Sequence, residues 1–440
     1  MIKINQYFLP DEVELVSYNN NLYLFNRALL TCFKVPKRLL PKYNSRNLSV
    51  TELLEYFNKE IISKLLEKYI LISDEDKEDY LKLVAKDFQG KTIRKLVLFT
   101  TYNCNLQCSY CKIRKDKSTA SNMPKDIAIK AVDFFLNQED FLKKQNELHF
   151  YGGEPLLNKD LIIYIGNYIR KKGYSNKEIN LKVVSNGFNI DENIINIFDK
   201  LDINVTFSFD GNESIHNKYR YSDSYNSYDT VIKAMNTYKA LNKKFGVSCT
   251  ITKDNIELLP EIVEWLNKNY NIPSIGFNVN YLNDDISYKM LSDKLIQAFS
   301  KALELGVWED RVGRSIRKFI PDNLYQIPKD CKHCGNILAV SPEGKIGPCP
   351  FLIKDEKYTF LSVFDLDISI YNKFPFLDWN NRRFNNIEKC NKCTFARFCT
   401  LGCPIDHNGE TVSLENHREI MCYLSKAIFY WYLENMHVGE

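Results

Sequence analysis

Three cysteines stand close enough in the chain to act on one partner: Cys104, Cys108 and Cys111 make a CX3CX2C run. Three thiolates on one loop can ligate three irons of a [4Fe–4S] cube and leave the fourth iron open. An open iron can bind a small molecule and hand it an electron, chemistry that no side chain supplies. The alternatives are a zinc site or three unrelated core thiols. Zinc takes four ligands, and no fourth Cys or His lies nearby in the sequence. A second group sits towards the C-terminus: Cys331, Cys334 and Cys349, then Cys390, Cys393, Cys399 and Cys403 as CX2CX5CX3C, then Cys422. Eight thiols make two four-ligand sets, and on spacing alone structural zinc and iron–sulfur clusters are both open. Of the 13 cysteines only Cys32 and Cys249 stand apart, and both read as buried core thiols.

The compartment sharpens that reading. The first residues are mixed and polar, unlike a secretory signal, and no run of about 20 apolar residues occurs. The expectation is a cytoplasmic protein with reduced thiols, in which clustered cysteines bind metal rather than pair. With 59 Lys and Arg against 55 Asp and Glu, a net charge of +4 gives no reason to expect nucleic acid or a membrane surface as partner.

Positioning these thiols takes more than one core, since 440 residues imply two or three domains. Residues 1–90 read as a hairpin (strands 14–18 and 22–26 around the turn 19–21) followed by helices. Ser49 and Glu52 make a capping box before a helix at 53–57; a helix at 60–68, a strand at 69–73 and an acidic helix at 74–86 follow. The combination predicts a winged-helix-like module. Residues 91–305 alternate strand and helix. Strands are expected at 96–100, 147–151, 181–185, 204–209, 246–251 and 275–280, with helices at 125–136, 160–170, 191–201, 228–241, 257–270 and 288–303. Six such units argue an α/β fold with a parallel sheet covered by helices, an open (β/α)6 TIM-like barrel with its chemistry at the C-terminal strand ends. Residues 306–440 are loop-rich and cysteine-dense, with a helical tail at 420–434, and need metal to fold.

The motifs at the strand ends carry a resemblance. Cys104-Asn105-Leu106-Gln107-Cys108-Ser109-Tyr110-Cys111 resembles the radical SAM signature CX3CXΦC, with Tyr110 as the aromatic residue. Gly152-Gly153-Glu154 resembles the family's GGE motif, whose glycines permit close backbone approach and whose carboxylate engages the methionyl ammonium of S-adenosylmethionine. Ser185-Asn186-Gly187 resembles the element near the ribose, and Ser208-Phe209-Asp210-Gly211 the SLDG element. His216 and Arg220 resemble the H-D-x-x-R that follows, with Asn217 where Asp is usual. The resemblance implies an enzyme that splits S-adenosylmethionine to a 5′-deoxyadenosyl radical. It implies cofactor contacts from Tyr110, Gly152, Gly153, Glu154, Ser185, Asn186, Ser208, Asp210 and Arg220. For the serines, Asn186 and Asp210 the alternative is ordinary loop capping, and for Arg220 a surface ion pair.

The C-terminal cysteines resemble the SPASM domain. Its interleaved pattern implies two auxiliary [4Fe–4S] clusters, one on Cys331, Cys334, Cys349 and Cys403, the other on Cys390, Cys393, Cys399 and Cys422, three clusters in all. SPASM enzymes commonly modify peptides, and a hairpin-helix module ahead of the barrel is similar to the leader-binding element of ribosomal-peptide maturases of the sactipeptide and ranthipeptide type. A ferredoxin or flavodoxin would supply electrons. Thioether formation to a substrate cysteine is the leading expectation. Anaerobic sulfatase maturation is the runner-up, weakened because Pro350 stands where those enzymes typically carry an Asp. Epimerisation and carbon–carbon crosslinking stay open, and a zinc-stabilised, non-catalytic peptide scaffold is the alternative of another class.

Overall fold

A computed structural model of the chain describes residues 7–35, 57–85, 93–111, 113, 121–138, 141–143, 146–279, 286–319, 336–359, 361–367, 370, 388–399 and 419–435. After β1 (Tyr7–Phe8) come three antiparallel strands in spatial order: β2 (Val13–Tyr18), β3 (Asn21–Asn26) and β4 (Thr31–Val35). Asn19 and Asn20 turn the hairpin with φ of 45° and 59°. Two left-handed residues in a row give the turn whose twist matches its strands, and asparagine tolerates that region. The turn is therefore one residue tighter than expected. β4 was not anticipated; Cys32 is buried on it. Along β3 the side chains alternate. Leu22 and Leu24 pack with Leu65 of the helix Lys59–Glu67, while Tyr23 and Phe25 join the main core.

The strand expected at 69–73 is mostly a turn. Tyr69 has φ 53°, and only β5 (Ile72–Ser73) pairs, antiparallel to β1. The helix Lys77–Ala85 closes the module. The capping box at Ser49 and Glu52, and the helix at 53–57 except Phe57, lie outside the described residues.

The barrel follows the expected alternation. Its parallel strands are β6 (Lys95–Thr101), β7 (Asn146–Gly152), β8 (Ile179–Ser185), β9 (Ile203–Ser208), β10 (Gly246–Ile251) and β11 (Ser274–Val279). The helices between them, among them Lys125–Leu136, Lys159–Lys171 and Ser227–Ala240, bury Val132, Ile165 and Val231 against the strands. The sheet continues beyond residue 305. β12 (Trp308–Glu309) adds a short parallel strand beyond β11. On the opposite edge β13 (Ile337–Val340) pairs parallel to β6 and is followed by antiparallel β14 (Lys345–Gly347) and β15 (Leu361–Ser362), so ten strands share one sheet.

The two faces of this sheet differ. Leu181, Val183, Val205, Phe207, Val247 and Phe277 are buried under the helices. The alternate residues of β8 to β11 are mostly polar or small, among them Asn180, Lys182, Asn204, Thr206, Ser248 and Gly276, all partly exposed or exposed, with Val184 the apolar one on β8. A closed parallel barrel fills its interior with branched apolar side chains; here this face of β8 to β11 is polar and accessible. Asn204 bonds Asn180 and Asn278 bonds Ser248, each at 2.8 Å. β7, β8 and β10 thus alternate buried and partly exposed residues, whereas β6 is buried from Leu96 to Thr101.

Candidate active site

The three thiols of the first cluster motif sit on the loop leaving β6, and neighbouring backbone pins that loop. Gln107 N donates to Tyr221 O at 2.8 Å, Ser109 N to Tyr219 O at 2.9 Å, and Cys111 N to Cys108 O at 3.1 Å. On its other side the loop lies flush against the end of β7. Gly153 N donates to Thr101 O at 2.9 Å and Glu154 N to Asn103 O at 2.8 Å. A Cβ on Gly153 would stand 2.2 Å from Asn103 O, and one on Gly152 (φ 141°) 2.2 Å from Thr101 O. The two glycines therefore let the strand end and the thiol loop touch backbone to backbone. Burial pushes the Cys104 thiol up to about 12 and the Cys108 thiol up to about 11, so a metal must displace protons to bind them.

Glu154 lies at the centre of the strand ends and is buried. Its Oε1 accepts from Leu156 N at 3.1 Å and Ser185 Oγ at 2.9 Å, and its Oε2 from Asn186 N at 2.8 Å. Burial pushes its carboxyl up to about 7, against those hydrogen bonds, which favour the ion. Oε2 carries one bond and can accept another. Asn186 Nδ2 reaches back to Asn105 Oδ1 at 2.9 Å, inside the thiol loop. Ser185 also accepts from Gly187 N at 3.0 Å, so its hydroxyl is a capping bridge.

Asp210 and Arg220 form a second buried centre. Arg220 Nε donates to Asp210 Oδ2 at 2.7 Å, and Thr250 N donates to Oδ1 at 2.8 Å. The Tyr110 hydroxyl bonds the same carboxylate, and the guanidinium lies 5.3 Å from the Tyr110 ring. Arg220 is thus an internal ion pair, 8% exposed, rather than a surface one. It ties β9 and β10 to the CX2C turn. Asn217, the departure from the expected Asp, uses both ends of its amide. Nδ2 donates to Asn226 and Oδ1 accepts from Ser227 Oγ and Tyr228 N, each at 2.9 Å. A carboxylate could not make the first of these. Ser208 ends β9, buried, on the same edge.

The C-terminal thiols divide. Cys331, Cys334 and Cys403 lie outside the described residues. Cys349 is buried after β14 and accepts from Phe351 N at 3.4 Å. Tyr151 stands between it and the first set: burial pushes its phenol up to about 12, and both Cys111 and Cys349 add to the shift. Cys390, Cys393, Cys399 and Cys422 are brought together. Burial and the other three thiols push Cys422 up to about 11, and Cys399 Sγ lies 3.8 Å from Met421 O. Cys249 is buried mid-strand, as expected.

Both described thiol groups suit iron–sulfur cubes by donor type, since each offers only sulfur. A single zinc would draw four sulfurs to about 2.3 Å from one point. A cube takes each thiolate on its own iron. Asn105, Thr250 and Tyr225, whose hydroxyl meets Asn105, complete the site and were not anticipated. Asn105 is flagged only by standing between the thiols, and nothing local marks the other two.

Comparison with known proteins agrees with this geometry. Residues 98–266 match the Radical SAM superfamily. An uncharacterized protein of Methanocaldococcus jannaschii is 32% identical over 269 residues, 59% of this chain and 86% of that protein. A cysteine-type anaerobic sulfatase-maturating enzyme of Clostridium novyi is 25% identical over 346 residues, 71% of this chain and 88% of that enzyme. Among solved structures, SuiB of Streptococcus suis bound to S-adenosylmethionine superposes with a TM-score of 0.59 at 15% identity, covering 94% of this chain and 99% of that one. The same enzyme bound to precursor peptide SuiA gives 0.59 at 14%, with the same coverage. The superfamily match spans the strand ends that carry the thiols, and the first relative is covered almost throughout; the chain belongs to the radical SAM superfamily of enzymes.

Proposed function

We propose that the chain matures a ribosomally made precursor peptide. The observation that carries this is the joining of the thiol loop, Gly153 and Glu154 into one shelf beside the polar, partly exposed face of β8 to β11. Hydroxyls, amides and Lys182 along β8 to β11 offer hydrogen-bonding partners to an extended peptide. The C. novyi relative and SuiB, seen with its precursor peptide, support the substrate class.

Cys104, Cys108 and Cys111 would hold the first cluster, Cys390, Cys393, Cys399 and Cys422 another, and Cys349 with Cys331, Cys334 and Cys403 a third. When bound, the first cluster and S-adenosylmethionine supply a 5′-deoxyadenosyl radical that takes hydrogen from an unactivated carbon, and the auxiliary clusters take the electron left over. Glu154 Oε2 would accept from the cofactor's ammonium, and that positive charge would favour the ionised carboxyl. Asn186 would contact the ribose, and Tyr110, fixed by Asp210 and Arg220, would contact the cofactor from the side of β9 and β10. The product is a thioether: one carbon–hydrogen and one sulfur–hydrogen bond of the peptide give way to carbon–sulfur, with loss of two electrons and two protons. The N-terminal sheet recruits the leader along an open strand edge, and a ferredoxin or flavodoxin supplies electrons.

Formylglycine formation is the second reading, favoured by the C. novyi relative and opposed by Pro350 after Cys349. Anaerobic incubation with a cysteine-bearing precursor peptide, chosen from open reading frames next to the gene, and with a sulfatase-derived peptide decides between them. Thioether formation lowers the peptide mass by two hydrogens and removes its free thiol. An unchanged peptide, together with conversion of a sulfatase-derived peptide, would overturn the first reading.

A further inference from the structure

Among the described residues, two stretches of the C-terminal part tie the N-terminal sheet to the rest of the chain. One is the tab between Cys393 and Cys399. Arg397 Nη1 donates to Ala28 O at 3.2 Å and Nη2 to Val84 O at 2.9 Å, so one guanidinium joins the β3–β4 turn to the helix Lys77–Ala85. The Thr394 hydroxyl bonds Glu14 on β2. The other is the helix Glu419–Asn435. Tyr18 stacks on Tyr430 with ring centres 4.2 Å apart, Phe25 meets Phe429 at 4.8 Å, and the Tyr23 hydroxyl donates to Leu433 O at 3.4 Å. Phe395 of the tab packs on the same Phe429 at 5.2 Å.

Both stretches are bounded by the second thiol set. Cys393 and Cys399 flank the tab, Cys422 lies in the first turn of the long helix, and Cys399 Sγ approaches the backbone at Met421. The tab has little order of its own. Its flanking helices, Glu388–Asn391 and Ala396–Cys399, are four residues each, far below the length at which a helix holds in water. Phe398 packs on Phe319 with ring centres 4.7 Å apart and Lys318 Nζ donates to Phe398 O at 2.9 Å, which holds the end of the tab; what the four thiols bind would fix the rest.

We propose that the loaded set of Cys390, Cys393, Cys399 and Cys422 is the berth of the N-terminal module. Filling it sets the tab and the start of the long helix in register, and the sheet docks on that pair; an empty set releases the sheet while the barrel stays folded. Recruitment of a partner by the module is then available only to chains already loaded with metal. The inference rests on reading this set as a cluster site, not on the identity of the peptide.

Anaerobic hydrogen exchange with mass spectrometry on the full chain tests it, comparing the parent, Cys393→Ala/Cys399→Ala, and Arg397→Met. In both variants the amides of β2 to β4 should exchange about tenfold faster or more, while the helix Lys159–Lys171 keeps the parent's rate. Arg397→Met should also keep the parent's iron content and its release of 5′-deoxyadenosine. Sheet exchange as slow in the iron-poor double variant as in the parent would overturn the proposal. If the double variant loosens throughout, Arg397→Met decides: faster sheet exchange supports the berth, and an unchanged sheet refutes it. A parent that releases no 5′-deoxyadenosine would instead sink the proposed function and leave the exchange comparison intact.

Discussion

At Gly153 a single hydrogen atom in place of a methyl lets the thiol loop close. Gly153→Ala would set its Cβ against the Asn103 carbonyl, a backbone atom that cannot swing aside as a side chain can. We expect a loss of about 3 kcal/mol or more, with the first cluster failing to assemble. Gly173→Ala is the control. That glycine has φ 90° but nothing within 4 Å of the new Cβ, so only conformational strain of about 1 kcal/mol remains. Urea midpoints and iron content of the two variants check the contrast. The Asp210–Arg220 pair gives a second prediction. Arg220→Met leaves the carboxylate buried without its counter-charge and should cost about 3–5 kcal/mol. Adding Asp210→Asn should recover part of that loss, since the lone charge is gone. A double variant no more stable than Arg220→Met would show the two residues to be uncoupled.

At the scale of elements, three described strand ends carry buried carboxyls: Asp210 after β9 is paired with Arg220, and the other two belong to Glu154 and Glu309. Glu154 follows β7, and Glu309 ends β12 and caps the helix Asp310–Ile316 through Arg311 N at 2.8 Å and Val312 N at 2.7 Å. Burial raises both from an ordinary 4.5 to about 7. Between those values the folded chain keeps protons that the unfolded chain has released, so stability falls as pH rises through this window. Each carboxyl contributes on the order of 3 kcal/mol to that fall. Buried, neutral His149 and His216, lowered to about 3 and about 4, add stability over the lower part of the same window, so the share of Glu309 is read as a difference: metal-free Glu309→Gln should lose less stability than the metal-free parent between about pH 5 and pH 8, by on the order of 3 kcal/mol. Equal losses would show that Glu309 ionises normally.

The elements also show what could be read from sequence. Helices such as Lys125–Leu136 and Lys159–Lys171 declared themselves by apolar period, and the thiol motifs by spacing. The turn at Tyr69 did not, because 69–73 reads as a strand and only the packing of Leu65, Ile70 and Leu71 into one cluster makes it bend. β4 was hidden for the same kind of reason: its partner is β3, and nothing within 31–35 states that pairing. The pairing of β13 with β6 joins residues more than 200 positions apart and has no local signature. Arg220 read as a cofactor contact or a surface ion pair, and the buried pair was not foreseen, since only the third dimension places Asp210, Thr250 and Tyr110 around it.

Across the whole molecule, the long helix Glu419–Asn435 is the hub. It packs on the barrel through Trp431, whose indole donates to Ser300 at 2.8 Å and whose ring meets Phe299 at 4.9 Å. It carries Cys422 near its start and supports the N-terminal sheet along Phe429 and Tyr430. Three functions implied by the sequence thus meet on one element: recruitment, a metal set and the barrel where chemistry occurs. That arrangement has purpose only if the first thiol set binds a cluster with one open iron. The direct measurement is electron paramagnetic resonance of the anaerobically reduced protein with and without S-adenosylmethionine, followed by assay for 5′-deoxyadenosine. The account predicts that the cofactor shifts the signal of the first cluster and that 5′-deoxyadenosine is released, both lost in the Cys104→Ala, Cys108→Ala, Cys111→Ala variant. A spectrum unmoved by the cofactor, or a variant as active as the parent, would contradict it.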